Sequence, residues 1–334
     1  MSVQVAVAVA MFIGVVAYAV LGGADFGSGF WDLTAGDAHR GAAVRTLVDH
    51  SIGPVWEANH VWLIYVMVFW WTAFPRPFAA VMTTLYLPIV LALLGIVLRG
   101  AGFAFRKYAG SLRQAQLFGV VFAASSLIAP FFLGVVAGAV ASGRVPAAGY
   151  GPPLASWAHP TPLLAGVLAV ALCSFLAGVF LTADAARAGD QALSERLRTG
   201  SLAVAFGAGA VVLLALVPVS RDAPTLTDGL TGRAAPLVLL STGAGLGTVW
   251  ALLRRHHTLA RGAAVVAVVA VVTGWGVAQY PWLLVDEVTI AAGAGAPRTL
   301  AALLVVVAVA AVLVLPPLLY LFALTQRQAA RASH

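Results

Sequence analysis

The chain has 334 residues, 61% of them hydrophobic and only 9% charged, with a mean hydropathy of +0.97. A water-soluble domain this apolar would aggregate, so the bulk of the chain is assigned to lipid. A formal charge of +7 would point to nucleic acid in a soluble protein, but here the basic residues punctuate apolar runs and meet phospholipid head groups; membrane lipids are expected partners and nucleic acid is not.

A hydrocarbon core about 30 Å thick takes about 20 apolar residues per helical span. In chain order, nine runs meet that requirement: residues 3–22, 54–74, 78–98, 117–140, 162–182, 201–219, 236–253, 262–280 and 299–324. The runs are continuously apolar, whereas barrel strands alternate at every second residue. The expected fold is therefore an all-α polytopic membrane protein with nine transmembrane helices in one integral domain over residues 1–334. The first run lacks a basic leader and is long enough to span, so it reads as a mature helix rather than a cleaved signal. No connection is long enough to hold an independent soluble domain.

Most of the Lys and Arg fall in alternate connections: Arg40 and Arg45, then Arg99, Arg106, Lys107 and Arg113, then Arg187, Arg196 and Arg198, then Arg254, Arg255 and Arg261, then Arg327 and Arg331 in the tail. The opposite side holds Arg76, Arg144, Arg221, Arg233 and Arg298. Positive loops stay in the cytoplasm, so the expectation is an N-terminus outside and a C-terminus inside. Gly23 with Gly27, Gly134 with Gly138 and Gly243 with Gly247 give the small-xxx-small spacing that lets helices approach closely in lipid. Pro88, Pro130 and Pro316-Pro317 fall inside spans and are expected to kink them. Phe74-Pro75-Arg76-Pro77 makes the second and third spans a tight hairpin. Trp31, Trp70, Trp71, Tyr280 and Trp282 lie near interface depth, where rings anchor; Trp31 is the one for which another role is left open. The single cysteine, Cys173, rules out an internal disulfide and reads as a buried thiol.

Two carboxylates stand close to apolar helices. Asp25 lies in Gly22-Gly23-Ala24-Asp25-Phe26-Gly27 at the inner end of the first span, and serves either as a cap or as a protonatable station. Glu57 follows Pro54, a favoured first helical residue, and lies one turn inside the second span with Asn59 and His60 near it. It either complements the helix dipole or takes up protons, since ionisable groups in lipid usually face a protein interior or a water path. Arg99, closing the third span on the same side, either pairs with a carboxylate or anchors the helix. No His pair lies deep in a span, so the chain is expected to bind no haem or metal and to carry no catalytic residue of its own. Asp286 and Glu287 are explained by solvation or by a partner.

The stretch Gly53-Pro54-Val55-Trp56-Glu57-Ala58-Asn59-His60-Val61-Trp62-Leu63 resembles the Gly-Pro-x-Trp-Asp-Gly-Asn-x-x-Trp-Leu motif of subunit II of cytochrome bd quinol oxidases. Gly23-Ala24-Asp25-Phe26-Gly27-Ser28-Gly29, Tyr86-Leu87-Pro88, Leu98-Arg99-Gly100 and Gln279-Tyr280-Pro281-Trp282 are similar to further family segments, in order along the chain. The resemblance implies two four-helix bundles plus one additional helix, and a subunit II that works beside a larger subunit I carrying b-type and d-type haems. That complex oxidises quinol and reduces dioxygen to water in the bacterial plasma membrane, and a small accessory subunit is left open. It further implies that Asp25, Glu57 and His60 contribute to a cytoplasmic proton pathway supported by Trp56, Asn59 and Arg99. The chain departs from the pattern at Glu57 (usually Asp), Ala58 (usually Gly), Gly22 (often Asp) and His60 (commonly Glu or Gln). The alternative is a proton-coupled secondary transporter or ion channel. Such proteins keep their site near the midplane, whereas these polar residues cluster toward one surface.

Overall fold

A computed structural model describes residues 2–37, 39–52 and 56–331, apart from the side chains at 52, 56, 107, 112, 315, 318–319 and 321–331. Pro54, read as a helix start, thus lies outside the described residues, as do the side chains of Trp56 and of Arg327 and Arg331. Helix accounts for 82% of the chain, so the all-α expectation holds. Eight helices among the described residues are long and apolar enough to cross a membrane. They are α1 (Val3–Thr34), α5 (Tyr86–Lys107), α6 (Leu112–Ala141), α7 (Pro160–Arg187), α8 (Gln191–Asp222), α10 (Ala235–Leu253), α11 (His257–Gln279) and α13 (Pro297–Arg331). α3 (Trp56–Ala73) is the counterpart of the second predicted span and opens on Glu57, Asn59 and His60.

The third span departs from expectation. It splits into α4 (Pro75–Thr84) and α5, separated by Leu85. Pro88 explains the break: it has no N–H for the carbonyl of Thr84, and its ring crowds that carbonyl, so helix geometry fails at the residue four positions earlier. Pro130, by contrast, sits inside an unbroken α6. α2 (Ala42–Ile52), α9 (Pro224–Thr231), the short α12 (Ile290–Gly293) and an antiparallel ribbon of β1 (Trp282–Leu284) with β2 (Val288–Thr289) were not anticipated. Asp286 and Glu287 form the ribbon's turn and tie it down: Thr225 Oγ1 donates to Asp286 at 3.0 Å and the Ala147 N–H to Glu287 at 3.1 Å. Neither solvation nor a partner is needed to account for them.

α1 is central, packing against α3, α6, α7, α11 and α13, while α5–α6, α6–α7, α7–α8 and α10–α11 are neighbouring pairs. Gly27 and the Gly134–Gly138 pair act as predicted, whereas a methyl group on Gly23 would make only an ordinary contact, 3.5 Å from Cys173 Sγ. A methyl group on Gly27 would strike the Cys173 carbonyl of α7, and one on Gly134 or Gly138 would fall 2.6 Å from the Ala165 carbonyl or 2.7 Å from Pro162 Cα. These are backbone-to-backbone crossings that only glycine permits. The third pair does not act so: nothing lies within 4 Å of a methyl group placed on Gly243 or Gly247.

The connections predicted to be basic meet at one end of the bundle. There Arg106 pairs with Asp32 and Asp49, Arg45 with Asp32, Arg261 with Asp184 and Arg255 with Glu195. Arg196 donates to the Ala35 carbonyl at 2.6 Å, closing α8 onto the end of α1. The opposite end carries the ribbon, α9 and the Arg144–Asp222 pair.

Candidate functional site

The glycines after Leu21 do not end the first helix; α1 runs on to Thr34. Asp25 therefore lies nine residues from that end, about 14 Å inside at 1.5 Å per residue. Arg99 is displaced inward in the same way, because α5 continues to Lys107. It does not close its helix but lies two turns inside, about 12 Å from the end. Asp25 is 5% exposed, Asn59 3% and Arg99 1%: a carboxylate, an amide and a guanidinium buried together inside helices that otherwise bury apolar side chains.

Asn59 couples α3 to α1. Its Nδ2 donates to Asp25 Oδ2 at 2.6 Å and to the Leu21 carbonyl at 3.3 Å. Arg99 and Asp25 interact through their charges without a direct ion pair among the described residues. The guanidinium instead lies over the Phe26 and Phe122 rings, 5.1 and 5.4 Å from their centroids, where the ring faces stabilise a cation. Nε and Nη2 of Arg99 and Oδ1 of Asn59 are buried without a hydrogen-bond partner among the described residues. The cluster thus carries more donor and acceptor capacity than its own contacts use.

His60 stands beside this cluster. Its Nδ1 is 3.3 Å from the Tyr18 hydroxyl, and its ring packs 5.7 Å from Phe26 and 6.0 Å from Tyr18. An aromatic cage with a phenol on one ring nitrogen suits a packed polar residue. Among the described residues no three His, Cys, Asp or Glu side chains are grouped to hold a metal ion.

The structure therefore brings together Asp25, Asn59, His60 and Arg99. It does not bring Glu57 to them. Residues two apart on a helix point to different faces, so with Asn59 turned to α1, Glu57 turns away and is exposed. Asp32 was missed by sequence reasoning. It lies seven residues after Asp25 on the same helical face, is 3% exposed, and accepts from Arg45 at 2.9 Å and Arg106 at 2.5 Å. The i, i+7 spacing would have revealed it had the first helix not been ended at Gly22. Trp31 is a packing residue rather than an interface anchor. It is 7% exposed, donates to the Ser174 carbonyl at 2.9 Å, and fills the space left by Gly178 and Gly200.

A sequence profile of the cytochrome bd terminal oxidase subunit II family matches residues 3–325. The chain belongs to that family. Among its relatives, the cytochrome bd ubiquinol oxidase subunit 2 of Bacillus subtilis is 36% identical over 126 residues, and the cytochrome bd-I ubiquinol oxidase subunit 2 of Escherichia coli is 28% identical over 128. Those alignments cover 38% of this chain and 36% and 33% of the two relatives, so the chain matches about a third of their length. The solved bd oxidase from Geobacillus thermodenitrificans has a chain of the same fold: TM-score 0.79, 26% identity, 97% of this chain and 98% of that one covered. Of the residues that carried the family resemblance, Asp25, Asn59 and Arg99 come from three separate helices and converge in one buried cluster.

Proposed function

We propose that this subunit II supports a haem-bearing subunit I in a membrane quinol:oxygen oxidoreductase, and that its buried polar cluster hands protons from the cytoplasmic side toward that partner. The observation that carries the reading is Asp25, 5% exposed in the interior of α1 and held by Asn59. An ionisable residue at such depth is costly, and it is retained where protons or ions pass. Haem supplies the electron chemistry in the complex, from the partner; this chain's residues position and move protons. Asp25 is the station, Asn59 fixes its Oδ2, Arg99 sets the local potential, and Tyr18 with His60 forms the wall toward α3. Asp32, seven residues nearer the basic end on the same face, provides a way in.

Further parts of the reading are that α3 crosses the membrane, giving nine spans in two four-helix bundles plus one additional helix, and that the N-terminus lies outside. The clustering of basic connections at one end of the bundle supports that orientation, since positive loops stay inside. Glu57, exposed on α3, would meet the partner subunit or lipid rather than Asp25. A small accessory subunit would likewise dock on surface that this chain leaves open.

The test is Asp25→Asn in the complete complex, which keeps the hydrogen-bonding shape and removes the titrating group. Turnover with quinol and dioxygen is expected to fall on the order of a hundredfold, with the haem spectrum and subunit stoichiometry unchanged. Normal turnover at every pH would end the proton assignment. Purification of the tagged chain without any haem-bearing partner would end the larger one.

A further inference from the structure

At the basic end, α7, α10 and α11 border an open cleft of about 1000 Å³ lined by Arg187, Trp250, Arg255, His256, His257 and Arg261 among others. None of the Asp25 cluster lines it. Its charge is one-sided. Asp184 accepts from Arg187 at 2.9 Å and from Arg261 at 3.2 Å, while Glu195 accepts from Arg255 at 2.6 Å and from Arg198 at 2.7 Å. Each carboxylate is shared between two guanidiniums, and each guanidinium carries five N–H groups, so donors are left over on the cleft side. The side chains of Arg187 and Arg255 are 53% and 66% exposed. α11 begins at the same place with no side-chain cap on its first turn, which adds unpaired backbone N–H groups and the positive pole of a 23-residue helix.

The cleft lies where α10 ends at Leu253 and α11 begins at His257, at the level where apolar helix gives way to charge. On its apolar side Leu246, Leu253 and Leu259 are 66%, 58% and 54% exposed. Gly243, Gly247, Trp250 and Arg254 follow one another at four, three and four residues and so share a face of α10. Because nothing stands within 4 Å of a methyl group on either glycine, an unobstructed track leads from Trp250 into the apolar zone. A free phosphate ion would use only the charged half of this arrangement. A lipid uses both.

We propose that the cleft binds an anionic phospholipid, with its headgroup phosphate on Arg187, Arg255 and Arg261 and an acyl chain along the Gly243–Gly247 track of α10. Basic cavities between helices at the cytoplasmic surface are suited to acidic headgroups, and an indole at the rim suits the interfacial glycerol level.

The test uses the full-length chain purified with its natural partners into nanodiscs of phosphatidylglycerol and phosphatidylcholine, followed by quantification of tightly retained lipid. Phosphatidylglycerol is expected to be retained over phosphatidylcholine, and R187Q/R255Q to lower that preference roughly thirtyfold. Equal retention of the two lipids, or no effect of the double substitution in folded protein, overturns the proposal. At Gly247 nothing lies within 4 Å of an added Cβ, and Gly247→Leu leaves the charges intact; it is expected to lower phosphatidylglycerol retention by blocking the track, and unchanged retention overturns the acyl-chain assignment. Inorganic phosphate is the second arm. Failure of millimolar phosphate to displace the lipid supports a lipid site, and displacement shows a phosphate site instead.

Discussion

The α1–α3–α5 region and the α8–α10 region are both made of apolar helices with glycines spaced through them, and they use those residues in opposite ways. Around α1 the glycines at 27, 95 and 102 are closed by a neighbouring backbone and the polar residues are buried, Asp25, Asn59 and Arg99 all at 5% exposure or less. Along α8 and α10 the glycines at 207, 209, 243, 245 and 247 face open space, and Leu213, Leu214 and Leu239 are 69%, 69% and 73% exposed. Helix association in lipid has no hydrophobic drive of its own, because lipid tails are as apolar as leucine. Close packing and polar contacts therefore decide which helices form the protein's interior, and only the α1 region has both.

The strongest way to break this contrast is Gly27→Leu. The new side chain would have to enter the Cys173 backbone, so α1 and α7 must separate. Loss of folded protein in detergent is expected, whereas Gly207→Leu, which meets nothing within 4 Å, is expected to be recovered at normal yield. Equal recovery of the two would show that the crossing does not hold the bundle.

Arg99→Met comes next. The guanidinium is fully buried and its field compensates Asp25, so its removal leaves the carboxylate less compensated and a lower unfolding midpoint is expected. Adding Asp25→Asn to Arg99→Met is expected to return part of that loss, as a double-mutant cycle of thermal unfolding midpoints would register. Strict additivity would mean that the two groups do not interact.

How much of this was legible in the sequence follows the same division. Apolar runs of span length gave the helices, because lipid demands them whatever the tertiary packing. The alternation of arginines revealed which connections share an end. The family motifs at Asp25 and Asn59 marked a site that helix periodicity alone does not specify. What was not legible depended on contacts across the chain. The apolar run of the first span ends at Gly22, and this concealed Asp32 and the depth of Asp25. Glu57 and His60 looked like members of one patch, yet the face on which Asn59 meets α1 separates them. Gly243 and Gly247 share the spacing of the packed glycine pairs, and spacing does not say whether a partner helix arrives.

Trp31→Phe probes the packed side more gently. Phe lacks the outer indole carbons that lie over Gly178 and Gly200, and the 2.9 Å bond to the Ser174 carbonyl is lost. A destabilisation of about 1–2 kcal/mol is expected, visible as a lower unfolding midpoint with oxidase turnover unchanged. A change in turnover at unchanged stability would move Trp31 from packing into the proton route.

The smallest effect belongs to the open face. Gly243→Ala adds a methyl group where nothing lies within 4 Å, so it meets no backbone and disturbs no crossing. It also replaces the residue with the most backbone freedom by the best helix former, a change worth up to about 1 kcal/mol in favour of the helix. The unfolding midpoint is therefore expected to stay the same or rise slightly. A fall would mean that α10 packs its glycines against another protein or a bound lipid that the methyl group displaces. Comparing the midpoint in phosphatidylglycerol and in lipid-free detergent separates those two outcomes, because only displacement of lipid makes the fall depend on the lipid supplied.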